Sequence, residues 1–287
     1  MSGQHSQRVM LPDGTDVAVI GQGTWNMGEN ASARGEEIKA LQMGIDLGMT
    51  LIDTAEMYAD GEAEKIVGEA IKGKRDSVFI VTKAYPHHAD SKGLAAACEA
   101  SLKRLGTDYA DLYLLHWRGS IPLEETVQGM EKLCREGKIR RWGVSNLDTS
   151  DIEELWRLPD GTKCAVNQVL YHAASRGIEH DLLPWCREHR VPVMAYCPIA
   201  QGGRLRKELL QHPLIRRLAE NHGASPAQIA LAWVIRSGDV IAIPKAVQEA
   251  HVRENAEAAR IVLTEEELLQ IDDVFSAPKR KMPLDIV

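Results

Sequence analysis

Short apolar runs rich in β-branched residues recur along the chain, beginning near residues 18, 50, 78, 110, 140, 165, 191 and 240. They read VAVIGQ, TLIDTA, VFIVTK, ADLYLLH, IRRWGV, AVNQVL, VPVMAY and VIAIPK. Runs this short and this continuously apolar predict strands buried on both faces. The first six gaps between them are about 25 to 32 residues, the length of one strand-plus-helix unit. The last gap is about 49 residues, enough for an extra helix. Helical periodicity fills the gaps. GEEIKALQMGIDLG brings Ile38, Leu41, Ile45 and Leu47 close to one face. SKGLAAACEASLKRLG predicts a helix capped by Ser91 and stopped at Gly106. PLEETVQGMEKLCREG places Pro122 near a helix start and Gly137 just past its end. SPAQIALAWVIRSG opens on Ser225-Pro226 and closes on Gly238, and TEEELLQIDDVF starts from Thr264 with acidic residues in its first turn. Ahead of all this, RVMLPDGTDVAV predicts a hairpin turning at Asp13-Gly14.

Strict β/α alternation predicts a parallel sheet covered by helices, and eight units without a composition break predict a closed (β/α)8 barrel. The reading is one domain over residues 1–287, with the N-terminal hairpin and extra C-terminal helices as additions. The closing APKRKMPLDIV is basic and then apolar. It is readable either as a loop over the barrel mouth or as a frayed tail.

Composition narrows the function classes. The chain has 287 residues, is 44% hydrophobic and carries a net charge of −7. That balance excludes a disordered chain and disfavours a nucleic-acid binder. No apolar run is long enough for a membrane span, and MSGQHSQRVM has no secretory apolar core. Five cysteines without a CxxC pair read as free thiols in a reducing cytoplasm. No surplus apolar face is evident, so a monomer is expected.

Active sites in such barrels lie at the carboxyl ends of the strands. The second, third and fourth runs end in Asp53, Lys83 and His116, and Tyr58 follows in the loop after the second. An ammonium beside a phenol favours phenolate and draws its pKa below the ordinary value near 10. Asp53 would keep Lys83 charged, and His116 would orient a substrate oxygen. Such a set suits protonation of an oxygen on which negative charge builds, as in carbonyl reduction. None of the four is a hydride donor, so a cofactor must supply the hydride.

At this point the chain resembles the aldo-keto reductase superfamily over nearly its whole length. The resemblance is carried by GQGTWNMG, LIDTAEMYADGEAEKIVGEAI, VFIVTKAY, DLYLLHW, IRRWGVSN, AVNQVLYH, MAYCPIAQGG and IPKAVQEAHVRENAEA, in that order. It implies a catalytic tetrad of Asp53, Tyr58, Lys83 and His116, with Tyr58 as proton donor and hydride from a reduced nicotinamide. It implies that Ser145, Asn146 and Gln168 bind the carboxamide and that Tyr196 stacks on the nicotinamide ring. The loop from Cys197 through Pro198, Ile199, Gln201 and Gly202 to Gly203 would follow the pyrophosphate. Gly23, Thr24 and Asp53 would sit beside the nicotinamide half. Lys245 would meet a 2′-phosphate, with Glu254 and Asn255 at the adenine.

Two positions depart from the family. Ala246 stands where serine is frequent and His251 where arginine is frequent. Arginine offers phosphate a permanent planar fork, whereas histidine is mostly neutral at pH 7. Lys245 still favours NADPH over NADH, and Arg253 stands near enough in sequence to be a partial substitute. GQGTWNMG lacks the third glycine of a dinucleotide fingerprint. Its Trp25, with Trp117 after His116, is read as substrate-pocket wall. His87-His88 has no third ligand at metal spacing, so no metal is expected. The expected function is NADPH-dependent reduction of aldehydes or ketones, with methylglyoxal-like 2-oxoaldehydes suggested by the resemblance. The alternatives are a nicotinamide-binding regulatory protein with slow turnover and a phosphate-binding barrel lyase or isomerase.

Overall fold

The computed structural model describes residues 8–287; the reading of MSGQHSQ as free of a targeting signal lies outside the described residues. The hairpin forms from β1 (Arg8–Met10) and β2 (Asp16–Ala18), paired antiparallel with Val9 opposite Val17. Gly14 turns the chain with φ 84° and Asp13 accepts from the Thr15 amide, the chemistry expected of a tight turn.

Eight parallel strands follow: β3 (Gln22–Gly23), β4 (Leu51–Asp53), β5 (Phe79–Ala84), β6 (Leu112–Leu115), β7 (Trp142–Ser145), β8 (Asn167–Leu170), β9 (Val193–Tyr196) and β10 (Val240–Ala242). Each pairs with its chain neighbour. The first and last are joined as well. Gly21 N donates to Ala242 O at 2.8 Å, Ala242 N donates to Val19 O at 2.8 Å, and Gly23 N donates to Pro244 O at 3.0 Å. A Cβ on Gly23 would lie 2.7 Å from the Ile243 oxygen, so only glycine permits this approach. These bonds close the barrel. The run VAVIGQ is therefore split: its first residues serve the hairpin, and the chain enters the barrel at Val19.

The helices are α1 (Arg34–Asp46), α2 (Glu62–Ala70), α3 (Ser91–Leu105), α4 (Leu123–Arg135), α5 (Thr149–Arg157), α6 (Leu182–Glu188), α7 (Gly203–Gln211), α8 (Pro213–His222), α9 (Pro226–Val234), α10 (Glu249–Ala258) and α11 (Glu265–Val274). Three of them, α7, α8 and α9, occupy the long gap before β10, one more helix than the extra one expected there. Ser225 and Thr264 cap α9 and α11 through reciprocal capping boxes. The cap of α3 is Asp90, which accepts from the Lys92 and Gly93 amides; Ser91 is its first helical residue. Leu47 does not join the buried face of α1. It falls at the helix's C-terminal end and is 40% exposed, while Leu41 and Ile45 are buried.

Within each strand alternate residues point into the barrel or out to the helices. On β5, Val81 belongs to the main core and Ile80 to the cluster packed against α1 and α2. The same alternation sends Lys83 inward and Thr82 outward. The tail is tied down rather than frayed. Lys281 Nζ bonds Asp148, Thr149 and Asp181, and Ser175 Oγ donates to Asp285. Ile286 and Val287 are thereby laid over the barrel mouth, against the cavity described next.

Candidate active site

At the carboxyl ends of the strands lies a cavity of about 660 Å³. Parallel register brings β4, β5 and β6 side by side there, with Asp53 opposite Val81 and Lys83 opposite Leu114. Lys83 is wholly buried. Its Nζ donates to Asp53 Oδ2 at 2.8 Å, to Thr54 O at 2.9 Å and to Tyr58 Oη at 3.1 Å. An ammonium has three protons and no lone pair, so these bonds use it completely. It follows that Tyr58 Oη accepts from Lys83 and its own proton is free to be donated elsewhere. The Tyr58 and His116 rings meet edge-on with centroids 5.8 Å apart, and all four expected residues reach one place.

The electrostatics add one correction. Burial works to lower the Lys83 pKa, but the charges and hydrogen bonds of Asp53 and Tyr58 together outweigh it and hold the ammonium above the ordinary lysine value. Tyr58, expected to be drawn toward neutrality, moves the other way. Burial pushes its pKa up, and the opposing charge of Lys83 offsets only part of that. The phenol is thus fully protonated at neutral pH, the state a proton donor requires. His116 is pushed down to about 2 by burial and by the Lys83 charge, so its imidazole is neutral. Its Nδ1 is buried with no hydrogen-bond partner among the described residues. The Cys197 thiol is raised to about 11 by burial, which rules out a resident thiolate nucleophile in the cavity.

Around the tetrad the polar groups are already organised. Gln168 Nε2 donates to Asp53 Oδ1 at 2.7 Å and Ser145 Oγ donates to Gln168 O at 2.9 Å. Asn146 Nδ2 donates to His116 O at 3.2 Å, and Tyr196 Oη donates to Asn146 Oδ1 at 2.9 Å. Thr24 is buried behind this layer, bonded through its amide and hydroxyl to Asp53 O. Asn146, Cys197 and Ala200 hold left-handed φ of 57°, 48° and 63° at the cavity edge, and strain of this kind gathers at functional sites.

Most expected cofactor residues line the cavity: Gly23, Asp53, Ser145, Asn146, Gln168, Tyr196, Cys197, Pro198, Ile199, Gln201 and Lys245. So do Trp25 and Trp117. Gly202, Ala246, His251, Glu254 and Asn255 do not, and lie beyond its edge. Glu254 is engaged in packing α10 on α9, accepting from Ser225 Oγ at 3.0 Å, and Asn255 is buried. Arg253 is no free substitute for an arginine at position 251, because Glu249 pairs with it at 2.8 Å. Sequence reasoning missed Asn26, Met57, Arg118 and Arg206 in the cavity wall, while Ile286 and Val287 lie there as the loop-over-the-mouth reading of the tail expects.

Arg206 and Lys245 both line the cavity, and neither forms an ion pair among the described residues. With the amide and hydroxyl donors around Ser145, this donor set fits a long, anionic nicotinamide nucleotide.

Comparison with known proteins agrees with this geometry. The model of the Aldo/keto reductase family matches residues 19–275. The chain is 57% identical over 283 residues to the methylglyoxal reductase YeaE of Escherichia coli (strain K12), covering 98% of this chain and 100% of that protein. It is 35% identical over 267 residues to a glyoxal reductase of Bacillus subtilis (strain 168), covering 92% and 91%. A crystal structure of an aldo/keto reductase from Klebsiella pneumoniae in complex with NADP and acetate superposes with a TM-score of 0.96 at 59% identity, over 98% of this chain and 100% of that one. With the tetrad assembled at the mouth of a closed β/α barrel and the match running through nearly all of it, this chain belongs to the aldo/keto reductase family.

Proposed function

We propose that the chain, as one domain over residues 1–287, is an NADPH-dependent reductase of aldehydes and ketones, and that 2-oxoaldehydes of the methylglyoxal kind are its substrate class. The observation that carries this is the donation from Lys83 to Tyr58 Oη at 3.1 Å, which leaves the phenolic proton free to be given to a substrate oxygen. The substrate class rests on the methylglyoxal and glyoxal reductases among the relatives.

Ser145, Asn146 and Gln168 would hold the carboxamide of the nicotinamide, Tyr196 would lie against its ring, and Lys245 would meet the 2′-phosphate. When bound, the reduced nicotinamide supplies the hydride. The chain's own residues do the rest. His116, being neutral, offers the carbonyl oxygen a hydrogen-bonding imidazole without adding a charge. Tyr58 hands its proton to that oxygen as negative charge builds there. Lys83 then faces a phenolate instead of a phenol, and the attraction lowers the barrier to proton transfer. Asp53 keeps Lys83 charged throughout. Trp25, Trp117 and the Ile286–Val287 tail line the substrate end of the cavity and present apolar surface to the carbonyl. A purely regulatory role finds no support in a tetrad as complete as this one, and family membership sets aside the lyase reading.

We further propose that the protein acts as a monomer in the cytoplasm and binds no nucleic acid. The support is five free cysteines and a net charge of −7. No helix among the described residues is long and apolar enough to cross a membrane. The test of the main reading is Tyr58→Phe. Turnover of an aldehyde with NADPH should fall by about 10²- to 10⁴-fold, while the NADPH dissociation constant from fluorescence titration stays within about twofold. A variant that keeps full turnover removes Tyr58 from the role of acid.

A further inference from the structure

Glu64 is a carboxylate without solvent exposure that takes no part in the chemistry above. It stands in the first turn of α2, six residues after Tyr58. Its Oε1 accepts from Thr82 Oγ1 at 2.6 Å, and its Oε2 accepts from Arg104 Nε on α3 at 2.5 Å. Thr82 is the outward-facing neighbour of the inward-facing Lys83 on β5. One buried carboxylate therefore ties the segment that carries the phenol to the strand that carries the ammonium.

The backbone between Tyr58 and Glu64 needs such a tie. Ala59, Asp60 and Gly61 are all left-handed, with φ of 48°, 53° and 86°. A run of three such residues persists only where the surroundings over-determine it. Arg104 is that surrounding. A Cβ on Gly61 would lie 2.5 Å from Arg104 Cδ and Nε, so the turn rests directly on this side chain. Arg104 is held in turn by Glu64 and by Ser101 Oγ at 3.1 Å. Cys98 and the buried Tyr113 hydroxyl are the other titratable groups that sense Glu64, and neither supplies a second counterion.

We propose that Glu64, acting through Arg104 and Thr82, is the positioning residue that sets the gap between Tyr58 Oη and Lys83 Nζ. It touches neither substrate nor cofactor. The inference rests on the reading of Tyr58 as proton donor, and it goes beyond that reading in naming what holds the donor in place.

Glu64→Gln tests it, because the amide keeps the shape and can still accept from Thr82 but removes the charge that holds Arg104. A widening of the Tyr58–Lys83 gap by about 1 Å weakens phenolate stabilisation enough to cost about tenfold, or one pH unit, at an effective dielectric near 20. The expected result is a kcat about tenfold lower with the aldehyde KM and the NADPH dissociation constant within about twofold of wild type. In the reverse direction, alcohol oxidation should reach half its maximal rate about one pH unit higher, because it needs the phenolate. Glu64→Asp, which keeps the charge, should recover part of both effects. A lower melting temperature with unchanged kcat and unchanged pH midpoint would make the network only a tie between α2 and α3, and would overturn the proposal. So would a fall in kcat without a pH shift. Tyr58→Phe assayed alongside separates the two levels: if it retains turnover the reading of the phenol fails, whereas an inactive Tyr58→Phe beside a normal Glu64→Gln sinks the positioning role alone.

Discussion

Replacing Lys83 by methionine removes the one cation that faces the Tyr58 oxygen while nearly preserving side-chain volume. At 3.1 Å and an effective dielectric near 20, a full charge on the phenolate would gain about 5 kcal/mol from that ammonium. Proton transfer is incomplete at the transition state, so between about half and all of this is lost from catalysis. The expected fall in kcat is then about 10²- to 10⁴-fold. A second effect follows from burial. Asp53 is 2% exposed and would keep only Gln168 as a side-chain partner, and an uncompensated buried carboxylate costs about 3–5 kcal/mol of stability. The double variant Asp53→Asn, Lys83→Met separates the two. It should regain most of the lost melting temperature and none of the lost turnover. The assay is steady-state aldehyde reduction at saturating NADPH across pH, beside fluorescence titration of the nucleotide. Burial already pushes the phenol's pKa up, and loss of Lys83 pushes it further. The alkaline limb of reduction therefore moves to higher pH while the plateau drops. A folded Lys83→Met protein with kcat within about threefold of wild type would refute the electrostatic account.

Two further outcomes follow from the same structure. His116 and His172 are buried with pKa values pushed down to about 2 and about 4, below the ordinary value near 6.5. The unfolded chain takes up protons that the folded one refuses, so stability is complete above about pH 6.5 and is lost as pH falls. At pH 5 each histidine should cost about 2 kcal/mol; the His172 loss levels off near pH 4, and the His116 loss continues to lower pH. Denaturant midpoints at pH 7 and pH 5 check this, and His172→Asn should remove about half of the difference; equal midpoints in the parent protein would contradict it. For the cofactor, Lys245→Ala should weaken NADPH binding by about ten- to a hundredfold and leave NADH within about twofold, because Ala246 adds no donor and Arg253 is engaged with Glu249. Equal losses for both nucleotides would place the 2′-phosphate elsewhere.

The tetrad was legible before any coordinates because of a regularity of parallel sheets. Every strand of a β/α barrel ends on the same rim, so the last polar residue of three consecutive runs marks three neighbours in space. Asp53, Lys83 and His116 were found that way. Tyr58 was legible because a loop of five residues cannot carry it far from that rim. Helix ends were equally readable where a local bond decides them, as at Ser225 and Thr264. They failed at α3, where Ser91 was read as the cap: the extended ψ of 162° at Asp90 puts that residue, the one before Ser91, outside the helix, and the sequence does not record that angle.

Periodicity and strand-end chemistry, both of them local properties, were enough to read the barrel, its eight units and the meeting of Asp53, Tyr58, Lys83 and His116 at one rim. The tertiary structure alone decided what depends on distant contacts and on exclusion of water. Burial, which no spacing records, turned the Tyr58 pKa upward. Lys281 and Asp285 reach back more than a hundred residues to seat the tail on the cavity, and Glu64 meets an arginine forty residues away beneath the catalytic turn. Such contacts leave no periodic trace, because they are set by how finished elements pack and not by how each element forms.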